Sequence, residues 1–196
     1  MPKIVDHAER RSSIISATWR VIARGGLANT TTREIAKEAG CSTGVLAHYF
    51  TDRADILTSA LIAAHRGVRA RIDQNVGDAR GLEALRRFML EVLPLNDQGL
   101  LEARIEACFW GEAVGNHDLM KIQNDEVDSF CDRVRALLVE AEEDRELRRL
   151  VDIDQAVHQC LILMDGLSIQ SVMYPERNDT EEQVAILDEL LTRLRP

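Results

Sequence analysis

Apolar residues recur at three- and four-residue steps along nearly the whole chain, which is the period of amphipathic helices. From Asp6 to Arg24 the stripe is Ile14, Thr18, Val21 and Ile22, with Arg10, Arg11, Arg20 and Arg24 on the other faces. Gly25-Gly26 stops this helix. Thr31-Thr32-Arg33-Glu34 has the spacing of a capping box, in which the Thr31 hydroxyl takes the Glu34 amide and the Glu34 carboxylate reaches back to Thr31. The short helix it opens turns Ile35, Ala36 and Ala39 inward, and Gly40 ends it. Ser42 is an N-cap for another short helix, running from Thr43 to Tyr49 or Phe50. Asp52 caps a much longer one, with Ile56, Leu57, Ala60, Leu61, Ala64 and Val68 on its apolar face, reaching about Val76.

Five more helices follow, over about Leu82 to Leu93, Gln98 to Val114, Asp118 to Asp144, Asp152 or Asp154 to just before Pro175, and from a Thr180 cap to Leu194. No alternating, strand-like run is bounded by turn residues. The expected fold is therefore all-α, with about nine helices in two parts. Residues 1–52 form a three-helix, helix-turn-helix head, and residues 53–196 form a helical bundle for effector binding and dimerisation, with the junction in or just after the long helix.

Two short helices joined by a glycine-containing turn, with a long helix behind, describe a helix-turn-helix, whose second short helix enters the major groove of double-stranded DNA. The residues suit that role. Thr43 donates or accepts hydrogen bonds, Gly44 lets the backbone come close, Val45 can touch a thymine methyl, and His48 and Tyr49 can bond phosphates or bases. Leu46 and Phe50 fall on the opposite side and should anchor the helix to Ile35 and the first helix.

Net charge is −9, which by itself opposes nucleic-acid binding. Its distribution changes that picture: residues 1–76 carry 11 Lys/Arg against 7 Asp/Glu, and residues 77–196 carry 13 against 26. A basic head on an acidic body is the asymmetry expected when one end meets phosphates. The four cysteines are far apart and in apolar or helical settings, as for free thiols in a reducing, cytoplasmic setting. No apolar run approaches the roughly 20 residues of a membrane span. The five histidines form no metal-spaced pair, and no phosphate loop or nucleophile elbow is present, so no enzyme, cofactor or metal is expected.

The stretch Thr31-x-Arg33-Glu34-Ile35-Ala36-x-x-Ala39-Gly40-Cys41-Ser42-x-Gly44-x-Leu46-x-His48-Tyr49-Phe50-x-x-Arg53-x-x-Ile56-Leu57 closely resembles the N-terminal signature of the TetR family of bacterial regulators. The resemblance implies Thr31, Thr32 and Arg33 at phosphates or a groove edge, Thr43, Gly44, Val45, Ala47 and His48 in the groove, and Tyr49 and Arg53 on phosphates. Ala47 departs from the family, many members of which have tyrosine there, and Arg53 replaces the usual lysine. Trp110, the Asp165-Gly166-Leu167 step and Gln170 resemble the BetI-like subgroup.

A palindromic operator requires two reading helices about 34–36 Å apart, hence a two-fold homodimer. In the family the last two helices pair with their symmetry mates, which points here to Cys160, Met164, Leu167, Val184, Leu187 and Leu191. The family also surrounds a small-molecule effector with helices that here carry Phe88, Glu106, Phe109, Trp110, Phe130, Met164 and Asp165. The plainer reading makes Phe109 and Trp110 core and leaves the acids in solvent. The alternative is carboxylates beside aromatic faces, the chemistry an organic cation needs. The expected function is a ligand-responsive DNA-binding regulator, a repressor by family resemblance, with an activator or a helical adaptor as the alternatives.

Overall fold

The computed structural model describes residues 7–177 and 179–196. Among these the structure contains nine α-helices and no strand: α1 (His7–Gly25), α2 (Thr32–Glu38), α3 (Thr43–Leu46), α4 (Arg53–Val76), α5 (Gly81–Val92), α6 (Asp97–Ala113), α7 (His117–Glu143), α8 (Ile153–Met173) and α9 (Thr180–Leu194), with one 3-10 turn at Pro175–Arg177. The expected start of the first helix at Asp6 lies outside the described residues. No helix among them is long and apolar enough to cross a membrane.

The helix boundaries follow the capping chemistry. Asp52 Oδ1 accepts the Asp55 amide at 2.8 Å, and Asn96 Oδ1 accepts the Gly99 amide at 2.9 Å. The Thr31 hydroxyl accepts from the Glu34 amide at 3.2 Å, but the Thr31 amide donates to the Asn29 carbonyl, so the return arm of the expected capping box is replaced by a backbone turn. At the last helix the cap is Asp179, whose Oδ1 takes the Glu182 amide at 2.8 Å. Thr180 instead sends its hydroxyl to the Leu95 carbonyl, because a carboxylate one residue earlier already satisfies the first turn.

Three apolar clusters organise the chain. The first, in the head, joins Ile14 and Ile15 of α1, Ile35 and Ala36 of α2, Leu46 and Phe50, and Ile56 and Ala60 of α4. The second joins Ile22 of α1 and Leu27 to Leu57 and Leu61 of α4 and Ile105 and Phe109 of α6. The third, the largest, is built from α5, α7, α8 and α9 with the distal end of α4. Helix α4 enters all three, and so connects the head to the bundle mechanically. The Trp19 indole fixes α1 to α4 by donating to the Ala60 carbonyl at 2.9 Å.

The apolar stripes of α8 and α9 face inward. Cys160 and Leu187 have no exposed surface, Leu191 and Leu167 almost none, and all four pack in the third cluster with α5 and α7. These four residues, expected at a dimer interface, pack against the chain's own helices: a four-residue apolar repeat cannot distinguish a partner's helix from the chain's own. Of the six residues expected there, only Val184 and Met164 stay half-buried, and Met164 lines the cavity described below.

Candidate DNA-binding surface and effector cavity

The turn between α2 and α3 is a Schellman motif. Gly40 has φ +63°, its amide donates to the Lys37 carbonyl, and the Cys41 amide reaches back to the Ala36 carbonyl at 2.9 Å. A side chain would be strained at that φ, so glycine sets the angle at which α3 leaves α2. The Ser42 hydroxyl then accepts from the Val45 amide at 3.3 Å. Helix α3 is shorter than expected, and Ala47 to Tyr49 continue it as turns hydrogen-bonded back to Thr43, Val45 and Leu46.

Leu46 and Phe50 are buried, as the pattern requires, which leaves Thr43, Gly44, Ala47 and His48 exposed and Val45 half-buried at the edge of the same surface. A Cβ added at Gly44 would meet only the Ser42 hydroxyl, at an ordinary 3.6 Å. Nothing inside the fold therefore requires glycine there. Thr31 and Arg33 are exposed and Thr32 half-buried at the start of α2.

Two residues expected on phosphates have internal partners. The Tyr49 ring lies 4.4 Å, centroid to centroid, from the His7 ring. The Arg53 guanidinium donates to the Thr30 carbonyl at 2.6 Å and also to the Leu27 carbonyl. Arg53 thus ties the first turn of α4 to the segment leading into α2, and its charge is committed to backbone acceptors. The sequence reading missed this because lysine and arginine both read as phosphate ligands, yet the planar fork of arginine can also span two carbonyls.

The second site is a half-open cavity of about 450 Å³ lined by α4, α5, α6, α7 and α8. Phe88, Glu106, Trp110, Phe130, Met164 and Asp165 all line it. Phe109 does not, which corrects its expected role. On α6 the cavity face is Gly99, Glu102, Ala103, Glu106, Ala107 and Trp110, while Phe109 is rotated by about 100° from Trp110 and is buried between α1 and α4.

Polar contacts inside the cavity are concentrated on one charged group. His65 of α4 sits with its Nε2 at 2.9 Å from Glu106 Oε2 and its Nδ1 at 3.4 Å from Glu126 Oε1. Burial by itself would lower the His65 pKa. The hydrogen bond to Glu106 and the charges of both carboxylates outweigh that and raise it to about 9, so the ring is an imidazolium at neutral pH. Arg69, one turn along α4, pairs with Glu126. Glu102 is buried but satisfied: Arg71 grips both its oxygens, at 3.0 and 2.6 Å, and the Gln98 amide adds a third bond. Glu106 also accepts from the Trp110 indole at 3.2 Å.

Asp165 differs from these acids. It forms no ion pair among the described residues, and burial together with the nearby Glu106 charge pushes its pKa up to about 6. Gln123 is a second exception, since its Nε2 is buried against the cavity with no hydrogen-bond partner. His65, Arg69, Gln123 and Glu126 were not singled out from the sequence. The signal existed for Gln123, which is the polar member of a stripe that continues through Val127, Phe130, Val134 and Leu137 at four- and three-residue steps. Among the described residues no group of three His, Cys, Asp or Glu could hold a metal ion.

A helix-turn-helix head carried by a long helix into a bundle whose mostly apolar cavity holds a few charged groups defines a DNA-binding, ligand-binding transcriptional regulator. Residues 14–60 match the family model of bacterial regulatory proteins of the tetR family, and residues 81–196 match the C-terminal domain of BetI-type transcriptional repressors. The chain belongs to the TetR family, whose members are transcriptional regulators and not enzymes. It is 33% identical to the HTH-type transcriptional regulator PksA of Bacillus subtilis (strain 168), over 90% of this chain and 85% of that one. It is 26% identical to the regulator BetI of Vibrio campbellii, over 98% and 96% of the two chains. Among solved structures it is similar to a transcriptional regulator from Saccharomonospora viridis in complex with choline, with TM-score 0.87, 24% identity and coverage of 94% and 96%.

Proposed function

We propose that the chain is a homodimeric repressor that a small organic cation releases from a palindromic operator. The observation that carries the effector half of this reading is Asp165: an unpaired carboxylate in a cavity, near the Glu106 charge, with Trp110, Phe88 and Phe130 among the side chains that line the same cavity. A cation there regains Coulomb energy that burial withholds from Asp165, and the aromatic faces add cation–π attraction. The similar S. viridis regulator holds choline, a quaternary ammonium, whereas the more distant fold-mate SmeT of Stenotrophomonas maltophilia holds triclosan. The fold accommodates both, so the side chains carry the argument.

For the dimer we look to the outer face of α8, since the inner faces of α8 and α9 are occupied. Ile162 and Met173 are more than half exposed there, and Gly166, four residues from Ile162 and seven from Met173, has open space above its Cα. A small residue between two exposed apolar ones lets a second helix approach closely.

The test is operator binding with and without ligand. The full chain should bind duplex DNA from upstream of its own gene, and a quaternary ammonium compound should weaken that binding. Asp165→Asn should lower affinity for the cation by about tenfold, one lost charge contact, and leave operator binding without ligand intact. Release that survives Asp165→Asn unchanged would remove Asp165 from the effector site. On the DNA side, Thr43→Val and His48→Ala should change which base sequence is preferred, by about tenfold at the affected position, more than they change the salt dependence. Equal preferences in parent and variants, read by competition with mismatched duplexes, would reject α3 as the reading helix.

A further inference from the structure

The charges around the cavity can be paired off. Glu102 is gripped by Arg71, which also reaches Glu91 outside the lining at 3.5 Å, and Asp73 and Arg133 are one acid and one base, both exposed where they line it. Helix α5 contributes only Phe88 and Val92. What remains is an interior cluster of three carboxylates, Glu106 of α6, Glu126 of α7 and Asp165 of α8, against two cations of α4, His65 and Arg69. Arg69 is half exposed and directed to Glu126, while the His65 side chain is 12% exposed and lies between Glu106 and Glu126. The ring thus holds one of two cation positions that three carboxylates create, from the chain itself.

We propose that His65 sets the charge of the effector: by standing between Glu106 and Glu126 it leaves a single uncompensated carboxylate, at Asp165, and so restricts the cavity to monocations. This inference rests on the cation reading above and deepens it. A dicationic ligand entering the same space would place its second charge near the imidazolium. Two like charges about 5 Å apart repel enough, in a partly screened interior, to weaken binding by roughly tenfold or more. Without the His65 charge the cluster has one more negative charge to offer, and the preference should turn over.

The experiment is calorimetric titration of the full chain with butyltrimethylammonium and with its dicationic counterpart, 1,4-bis(trimethylammonio)butane. The parent at pH 7 should bind the monocation at least about tenfold more tightly than the dication. His65→Gln should reverse that order, and His65→Lys, which keeps the positive charge, should restore it. In the parent alone, raising the pH from 7 to 9.5 should narrow the gap as His65 loses its proton, a change that His65→Gln should not show. A dication bound as tightly as the monocation by the parent, or the same order in parent and His65→Gln, overturns the proposal while the cation reading stands. A parent that binds neither compound overturns both. The pH series on the parent decides the matter even where a substitution at this buried position prevents folding.

Discussion

Phe109→Ala should lower the unfolding free energy by roughly 3–5 kcal/mol, the range for deleting a fully buried aromatic side chain whose site cannot collapse. Phe109 is 1% exposed and closes the cluster formed with Ile22, Leu27, Leu57, Leu61 and Ile105. These residues belong to three helices that are far apart in the chain and, in Leu27, to the turn after α1, and their contact is where the head rests on α6. A hole there removes apolar contact from α1, α4 and α6 at once, and none of the three can move inward without disturbing the Trp19–Ala60 hydrogen bond or the His65 ion pairs. Urea denaturation of the parent and the variant, followed by far-ultraviolet circular dichroism, measures the loss. Phe109→Leu should lose less, since most of the volume remains. A loss below about 1 kcal/mol for Phe109→Ala would mean that the head and bundle are not held together by this cluster.

Much of this architecture was legible in the sequence because it is local. Caps, glycines and the helical period are short-range signals, so Ser42, Asp52 and Gly40 place helix ends to within a residue or two. The inward side of α3 was legible for the same reason: Leu46 and Phe50 are four residues apart and apolar. What the pattern could not specify is which neighbour each apolar stripe meets. The stripe of α8 and α9 could equally face a partner or α5 and α7, and only the three-dimensional packing resolves Cys160, Leu167, Leu187 and Leu191 as core. Phe109 and Trp110 show the limit most clearly, since adjacent residues on one helix point into an apolar cluster and into the cavity. The charged centre was the least legible part. His65, Glu106 and Glu126 are separated by 41 residues and then 20, and each alone is an ordinary surface-type residue. Their meaning arises only when α4, α6 and α7 bring Glu106 within hydrogen-bonding distance and Glu126 within ion-pair distance of His65.

That charged centre makes stability fall as pH rises through the neutral and mildly alkaline range. In the folded chain His65 titrates at about 9, against 6.5 for a histidine without such partners. A raised folded pKa contributes stability that is fully present below about 6.5, where both states are protonated, and is lost as the pH passes through 9. The whole effect is of order 3 kcal/mol, with about 2 of it falling between pH 6.5 and 8.5. Other groups act outside that window or can be subtracted. Asp165, with its pKa pushed up to about 6, favours the folded state only at lower pH, and its influence is spent before pH 7. Glu126 is held below the usual carboxylate range, since His65 and Arg69 outweigh its burial, and it titrates lower still. The Cys160 thiol, raised by burial to about 12, acts with the same sign as His65 but mainly above 9. Urea unfolding at several pH values from 6.5 to 8.5 should therefore show the decline in the parent and a nearly flat profile in His65→Gln. Equal slopes in the two chains would mean that the imidazolium does not bind α4 to α6 and α7. With the decline confined to the parent, the same proton that fixes α4 against the bundle would also be the one that leaves Asp165 as the cavity's unmatched charge.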